Sequence, residues 1–303
     1  MKDIICLSPS PCYDKYIYVK KLSVGAESYA DKCEKYIGGK GTNVASTLAA
    51  NGISPKLFLI SPEDDLYGKT VMSRGIDVLN INIKTPIREN ITFIESDGTE
   101  TRISENSDIS EASAITEYCE YVKDASGIVI LSGSVGKSLL TPLILALSKA
   151  ENAELILDSR SVCEDEISLL KPLLMKPNED EAQKLTGIAV NGVESAFSAA
   201  EKISSIGVRN VIVSLGKNGA VMLTENGEKY YAPCIKVDVN STVGAGDAMI
   251  AGFAAAYSNG KSMKECFENG VVYSAAACTK SGTEIPTKND VERIADKVVC
   301  NRV

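Results

Sequence analysis

The sequence predicts a three-layer α/β/α protein with a mostly parallel central sheet, and two alternating patterns predict it. Short apolar runs at 3–8 (DIICLS), 56–61 (KLFLIS), 127–134 (GIVILSGS), 154–159 (ELILDS), 173–178 (LLMKPN) and 210–216 (NVIVSLG) read as buried strands. Amphipathic stretches at 42–51, 138–150, 179–186, 193–206, 248–258 and 263–280 lie between or after them and read as helices. Strands alternating with helices give a parallel sheet covered on both faces. Most of the runs end in small or polar residues, which suits the strand ends where such sheets bind ligands.

Two regions break the pattern. DKYIYVKKL (14–22) and DKCEKYI (31–37) look like half-exposed strands. ENITFIESDGTETRIS (89–104) reads as a hairpin with Asp97-Gly98 at its turn. Residues of about 14–37 and 88–104 therefore form a small β lid over one edge of the core. A plain antiparallel extension is the other reading of the same strands. No repeat, low-complexity tract or linker divides the chain, so residues 1–303 read as one domain.

Composition narrows the function. The chain is 44% hydrophobic and 24% charged, with a net charge of -8, and its isoelectric point is near 4.9. That balance argues against a nucleic-acid surface. No stretch is long and apolar enough for a bilayer span. The start, MKDIICLSPSPCYDK, lacks a signal-peptide apolar block, so a cytoplasmic location is expected. Nine scattered cysteines without a CxxC pair suggest reduced thiols. Histidine is absent, which removes Ser-His-Asp and Cys-His catalysis and the commonest zinc ligand. A catalytic base must then be Asp, Glu, Lys, Cys or Tyr.

NSTVGAGDAMIAGF (240–253) places one acid, Asp247, where a helix begins. Acids favour first turns, so a simple cap is one reading. The other is an anion nest: backbone N–H groups of Val243, Gly244, Ala245 and Gly246 converge at the helix start, with Asp247 beside them as a base. The segment is not a dinucleotide fingerprint, because Met249 stands at the third glycine position. LSGSVGKSLL (131–140) imitates a P-loop, but Leu131 occupies the place of its first glycine.

TVGAGDAMIAGF resembles the C-terminal signature of the ribokinase-like (PfkB) sugar kinases, and IGGKGTNVA (37–45) resembles their N-terminal signature. Asp14, KPNEDE (176–181), SLGKNGA (214–220) and SGT (281–283) extend the likeness along nearly the whole chain. The resemblance implies a ribokinase-like fold and phosphoryl transfer from ATP, with Asp247 as base and Gly244, Ala245 and Gly246 holding the transferred group. It assigns Asp14, Gly38, Gly39, Lys40 and Asn43 to the sugar. Lys176, Asn178, Ser214, Gly216, Gly219, Val243 and Gly282 fall to the nucleotide. Asn178 and Glu181 form an N-x-x-E element that organises Mg²⁺ through water; read without the resemblance, the same residues make a helix cap. A monovalent cation is a further candidate cofactor.

Arg88 and Asn90 in TPIRENITF resemble the TRxN element of the 1-phosphofructokinase and tagatose-6-phosphate kinase branch. With Lys40 opposite, Arg88 would cradle a substrate phosphate, and Arg102 is a third candidate; an exposed arginine at a strand start is the plainer reading. The branch's Asn-Pro-Ala, GSLPPG and NEPG stretches are here Ser10-Pro11-Cys12, GSVGKS and SENSDIS. The expected reaction is ATP-dependent phosphorylation of a phosphorylated ketohexose: fructose 1-phosphate, tagatose 6-phosphate or fructose 6-phosphate. A kinase of an unphosphorylated sugar or nucleoside and a non-catalytic sugar-phosphate binder are the alternatives. The lid's exposed edge could pair with a second copy.

Overall fold

The structure, a computed structural model, describes residues 1–106 and 108–303. Ser107, in the SENSDIS stretch, lies outside the described residues. The chain runs β1 (Ile4–Ser8), β2 (Cys12–Val19), β3 (Ala30–Gly38), α1 (Lys40–Ala50), β4 (Lys56–Ser61), α2 (Leu66–Met72), β5 (Asp77–Asn82), β6 (Arg88–Glu95) and β7 (Glu100–Ser104). It continues through α3 (Ala112–Lys123), β8 (Gly127–Ser132), α4 (Lys137–Lys149), β9 (Ala153–Asp158), α5 (Glu164–Leu170), β10 (Leu174–Met175), α6 (Glu179–Thr186) and α7 (Val193–Ser205). The last part comprises β11 (Asn210–Ser214), β12 (Ala220–Leu223), β13 (Lys229–Ala232), α8 (Ala245–Ser258), α9 (Met263–Cys278), α10 (Lys288–Ala295) and β14 (Asn301–Arg302).

The large sheet has the order β14-β13-β12-β11-β10-β9-β8-β1-β4-β5. From β5 to β11 all pairings are parallel; β12, β13 and β14 join antiparallel. Side chains alternate between two cores. Cys6, Leu57 and Ile130 face α1, α8 and α9, whereas Leu7, Phe58 and Leu131 face α3, α4 and α7. The central strands are apolar on both faces because helices cover both. In α8, Gly252 lets α9 approach closely: a Cβ there would lie 2.7 Å from the Asn269 carbonyl oxygen.

The second sheet, β3-β2-β6-β7, contains the polar strands that the sequence set apart. Asp97-Gly98 forms the β6–β7 turn, with Gly98 at φ 86 and its N–H donating to the Glu95 carbonyl. A left-handed residue there is what a short hairpin with right-twisted strands needs.

Several elements differ from the sequence reading. Helices α2, α3, α5 and α10 were not anticipated: α2 and α5 span only seven residues each, and α10 buries only Val291 and Ile294. Helix α1 starts at Lys40 and α8 at Ala245, two and three residues earlier than expected. In each case a glycine caps the helix with positive φ, Gly39 at 103 and Gly244 at 79; such turns are open to Gly at little cost. No helix among the described residues is long and apolar enough to cross a membrane.

Candidate active site

The parallel strands end at a cleft of ≈ 1720 Å³, roofed by the small sheet. Every site residue proposed from the sequence lines it except Gly38 and Gly282. Gly38 instead packs beneath Asp14; a Cβ there would sit 2.1 Å from Asp14 Oδ2. Gly282 occupies a left-handed turn, φ 54, and the next residue, Thr283, lines the cleft in its place. The Thr283 hydroxyl is buried and has no partner among the described residues.

The cleft floor carries two acids and two lysines. Asp247, in the first turn of α8, is buried, and its Oδ2 accepts a 2.9 Å hydrogen bond from Asn43 Nδ2. Burial pushes its carboxyl up to about 6; Asp158 adds to the rise, while Lys40, the Asn43 bond and Lys176 oppose it. Asp158, the last residue of β9, is also buried. It accepts hydrogen bonds from Lys40 Nζ at 3.1 Å and Ser132 Oγ at 3.1 Å, and its Oδ1 lies 3.5 Å from Lys176 Nζ. Burial alone would raise this acid, but Lys176 and Lys40 carry it below the ordinary aspartate range. Burial likewise works against the Lys40 charge, yet Asp158 and Asp247 raise its pKa overall.

Lys176 Nζ lies close under the turn at 244–247: a Cβ on Gly246 would be 3.2 Å from it. In that turn the nest differs from the expected one. The Val243 N–H donates to Ser241 Oγ at 3.1 Å and the Ala245 N–H to the Thr242 carbonyl at 3.4 Å. The amides of Gly244, Gly246 and Asp247 have no hydrogen-bond partner among the described residues. Three free donors thus gather at a helix start that also carries a carboxylate. Asp158 itself was not singled out in the sequence. The available signal was an acid at the carboxyl end of the buried run ELILDS.

A second polar centre hangs from the small sheet. Asp14 Oδ1 accepts from Asn90 Nδ2 at 2.9 Å and from Arg102 Nη2 at 3.1 Å. Pairing of Asp14 with Asn90 and of Asn90 with Ser104 across the strands puts these residues on one face. Arg88 donates to Ser10 Oγ at 3.0 Å, Asn90 Oδ1 at 2.9 Å and the Glu105 carbonyl at 3.4 Å. All three partners are neutral, and among the described residues its guanidinium makes no ion pair. Lys40 and Arg88 both line the cleft; Lys40 bonds to Asp158, while Arg88 bonds to Asn90 beside the Asp14 centre that Arg102 also joins. Cys12 lies beneath; burial, with Asp14 beside it, pushes its thiol up to about 12 and keeps it protonated.

The third centre is the start of α6. Asn178 and Glu181 form a reciprocal capping box, with bonds of 2.9 and 3.0 Å, so the plainer reading of that motif holds. Glu181 Oε1 also accepts from Arg160 Nε at 2.7 Å, and Arg160 is a cleft residue that sequence reasoning missed. Each Glu181 oxygen retains a free lone pair. Among the described residues no group of three or more His, Cys, Asp or Glu is placed to hold a metal. Oxygen donors at one cleft wall fit a hydrated Mg²⁺ shared with phosphates, not a protein cage. Ser214 bridges to Asn178 in the sheet, and Gly216 and Gly219 shape the following turn. At Gly219 a Cβ would strike the Ala232 carbonyl oxygen at 2.0 Å.

Comparison with known proteins agrees along the whole chain. The sequence model of the pfkB family carbohydrate kinases matches residues 1–290. A 1-phosphofructokinase of Bacillus subtilis is 29% identical over 307 residues, covering 99% of this chain and 100% of that one. The 1-phosphofructokinase of Borreliella burgdorferi is 31% identical, covering 91% and 92%. Phosphofructokinase-2 from Escherichia coli, solved in complex with potassium, superposes with a TM-score of 0.87 at 24% identity, over 98% and 99% of the two chains. That last likeness speaks for the fold; together with the family match and the two enzymes of similar sequence, it identifies this chain as a sugar kinase belonging to the pfkB family of carbohydrate kinases.

Proposed function

We propose that the protein transfers the γ-phosphoryl group of ATP to a free hydroxyl of a phosphorylated ketohexose, with fructose 1-phosphate the first candidate. The observation that carries the reading is the position of Asp247: a buried carboxylate, pushed up to about 6, beside three amides without a partner among the described residues. Such an acid is ionised at neutral pH yet basic enough to take a proton. Asn43 holds Oδ2, which leaves Oδ1 for the sugar hydroxyl. The hydroxyl proton passes to Oδ1, the oxygen attacks the γ-phosphorus, and the bond from that phosphorus to the β–γ bridging oxygen breaks, so ADP leaves with the electron pair. The amides of Gly244, Gly246 and Asp247 stabilise the transferred oxygens. Asn178 and Glu181 would hold Mg²⁺ through its waters, and the ion would neutralise nucleotide phosphate charge. The potassium in the Escherichia coli relative supports a monovalent cation here too.

Arg88 favours a substrate that carries its own phosphate, because its charge has only neutral partners. Asp14 and Asn43 are left for sugar hydroxyls. We also infer a homodimer formed through the small sheet, supported by the half-buried Ile17, Ile91 and Phe93 and the exposed Ile103 on its face away from the cleft.

ADP release measured over ketohexose phosphates and their parent sugars tests the assignment. The phosphorylated substrates should lead, Arg88→Ala should cut kcat/KM on them by about 100-fold or more, and Asp247→Asn should abolish turnover. Equal kcat/KM on a parent sugar, untouched by Arg88→Ala, would move the protein to the unphosphorylated-sugar kinases.

A further inference from the structure

Asp158 stands out because it has no place at the cleft surface. Lys40, Lys176 and Ser132 line the cleft, and Asp158 lies behind them. Among the described residues its carboxylate bonds or pairs only with those three side chains: Oδ2 with Lys40 Nζ and Ser132 Oγ, Oδ1 with Lys176 Nζ. Burying an ion pair is costly, and apolar replacements are often at least as stable. A buried acid with two lysines at the foot of a cleft therefore calls for a reason other than stability.

We propose that Asp158 is a positioning residue for phosphoryl transfer: it anchors Lys176 under the turn at 244–247 and holds Lys40 back from collapsing onto the base, Asp247. This rests on the reading of Asp247 as the base. Charge balance gives the anchor its purpose. With Asp247 ionised, the two acids and two lysines sum to zero. When Asp247 takes the substrate proton, the group becomes singly positive. That positive charge appears as the hydroxyl oxygen and the transferred phosphoryl oxygens gain negative charge. Without Asp158, the carboxylates acting on Lys40 are Asp247 and, more weakly, Glu181, and a long flexible stem lets the lysine swing toward Asp247. The base would then be paired, less basic and less accessible.

The groups facing Asp247 are Lys40 and Asn43 from α1, Asp158 from β9 and Lys176 after β10; Glu181 from α6 acts on Lys40. Removing the Asp158 charge relieves its repulsion of the Asp247 anion, and a closer Lys40 adds attraction. Both changes lower the pH at which Asp247 ionises.

The test is the pH dependence of kcat and kcat/KM for the full-length enzyme and its Asp158→Asn and Asp247→Asn variants. Asp158→Asn should lower kcat on the order of 100-fold, with a smaller change in KM, and should move the acid limb to lower pH. The ionisation of the sugar phosphate is common to both enzymes and cancels in the difference. Loss of folded protein alone would reduce kcat and leave the limb where it was, and that result would overturn the proposal, as would wild-type kcat. Turnover by Asp247→Asn would instead remove the base assignment itself; an inactive Asp247→Asn beside a normal Asp158→Asn profile removes only the role of Asp158. Should Asp158→Asn fail to fold, Ser132→Ala supplies the reading. It keeps every charge and deletes one bond that orients the Asp158 carboxylate, so kcat should fall about 5-fold at unchanged KM; wild-type kcat would again overturn the proposal.

Discussion

Asp247 is kept in a state that burial opposes, and that has a measurable cost to the fold. The folded protein holds the proton more tightly than the unfolded chain, with a pKa of about 6 against the ordinary 3.8. Below 3.8 both states carry the proton and nothing is lost. As pH rises through 6 the folded state must ionise a buried group, and the native state is weakened by about 3 kcal/mol at most. Asp247→Asn removes that titration. The variant should therefore unfold at higher denaturant concentration than wild type at pH 8, and the two should converge near pH 3.5; a constant difference across that range would contradict the burial argument. Asp247 was legible in the sequence because glycines and a helix start surround it. Asp158 was not: its neighbours in ELILDS describe any buried strand, and its partner Lys40 is 118 residues away in sequence. Only the folded sheet brings the strand end and the start of α1 together.

Secondary-structure elements deliver the site through their ends. Three helix starts converge on the cleft, α1 with Lys40, α6 with Asn178 and α8 with Asp247. The N-x-x-E motif shows how one element serves two ends. Its capping box fastens α6, where loss of the cap would cost about 1 kcal/mol. Glu181→Gln separates the cap from the proposed metal role, since Gln can still accept the Asn178 N–H but carries no charge for a hydrated cation. The expected result is a melting temperature close to wild type together with at least about a 10-fold rise in the Mg²⁺ needed for half-maximal rate. Unchanged Mg²⁺ dependence would leave Glu181 with the cap alone. The exposed pair with Arg160 should add little either way. At this scale six of the seven parallel strands were legible from their apolar runs; β5, DVLNIN, was not, because polar residues interrupt it. The short helices α2 and α5 were not, because seven residues present too few turns for a period to emerge.

At the scale of the whole molecule, the small sheet has two faces with different chemistry. Strand alternation puts Asp14, Asn90 and Arg102 toward the cleft and sends Ile17, Ile91, Phe93 and Ile103 the other way. Ile17 pairs with Phe93 and Ile91 with Ile103 across the strands, so the apolar residues form one patch. Ile103 is 55% exposed. The sequence showed these strands to be polar and half-exposed, but it could not show that the apolar residues among them share a face, because that depends on the register of three strands. A two-fold contact would bury each copy of the patch against its mate. Ile103→Glu places a charge in that contact twice over. It should raise the dimer dissociation constant by about 100-fold or more in sedimentation, whereas Asp97→Ala at the hairpin tip should leave it unchanged. Because the same strands carry Arg88 and Asp14, loosening them should raise KM for the sugar phosphate more than it lowers kcat, with Asp247 and its turn standing on the core helix α8. A wild-type chain that sediments as a monomer at micromolar concentration, or an Ile103→Glu chain that dimerises as well as wild type, would show that this face is not the contact.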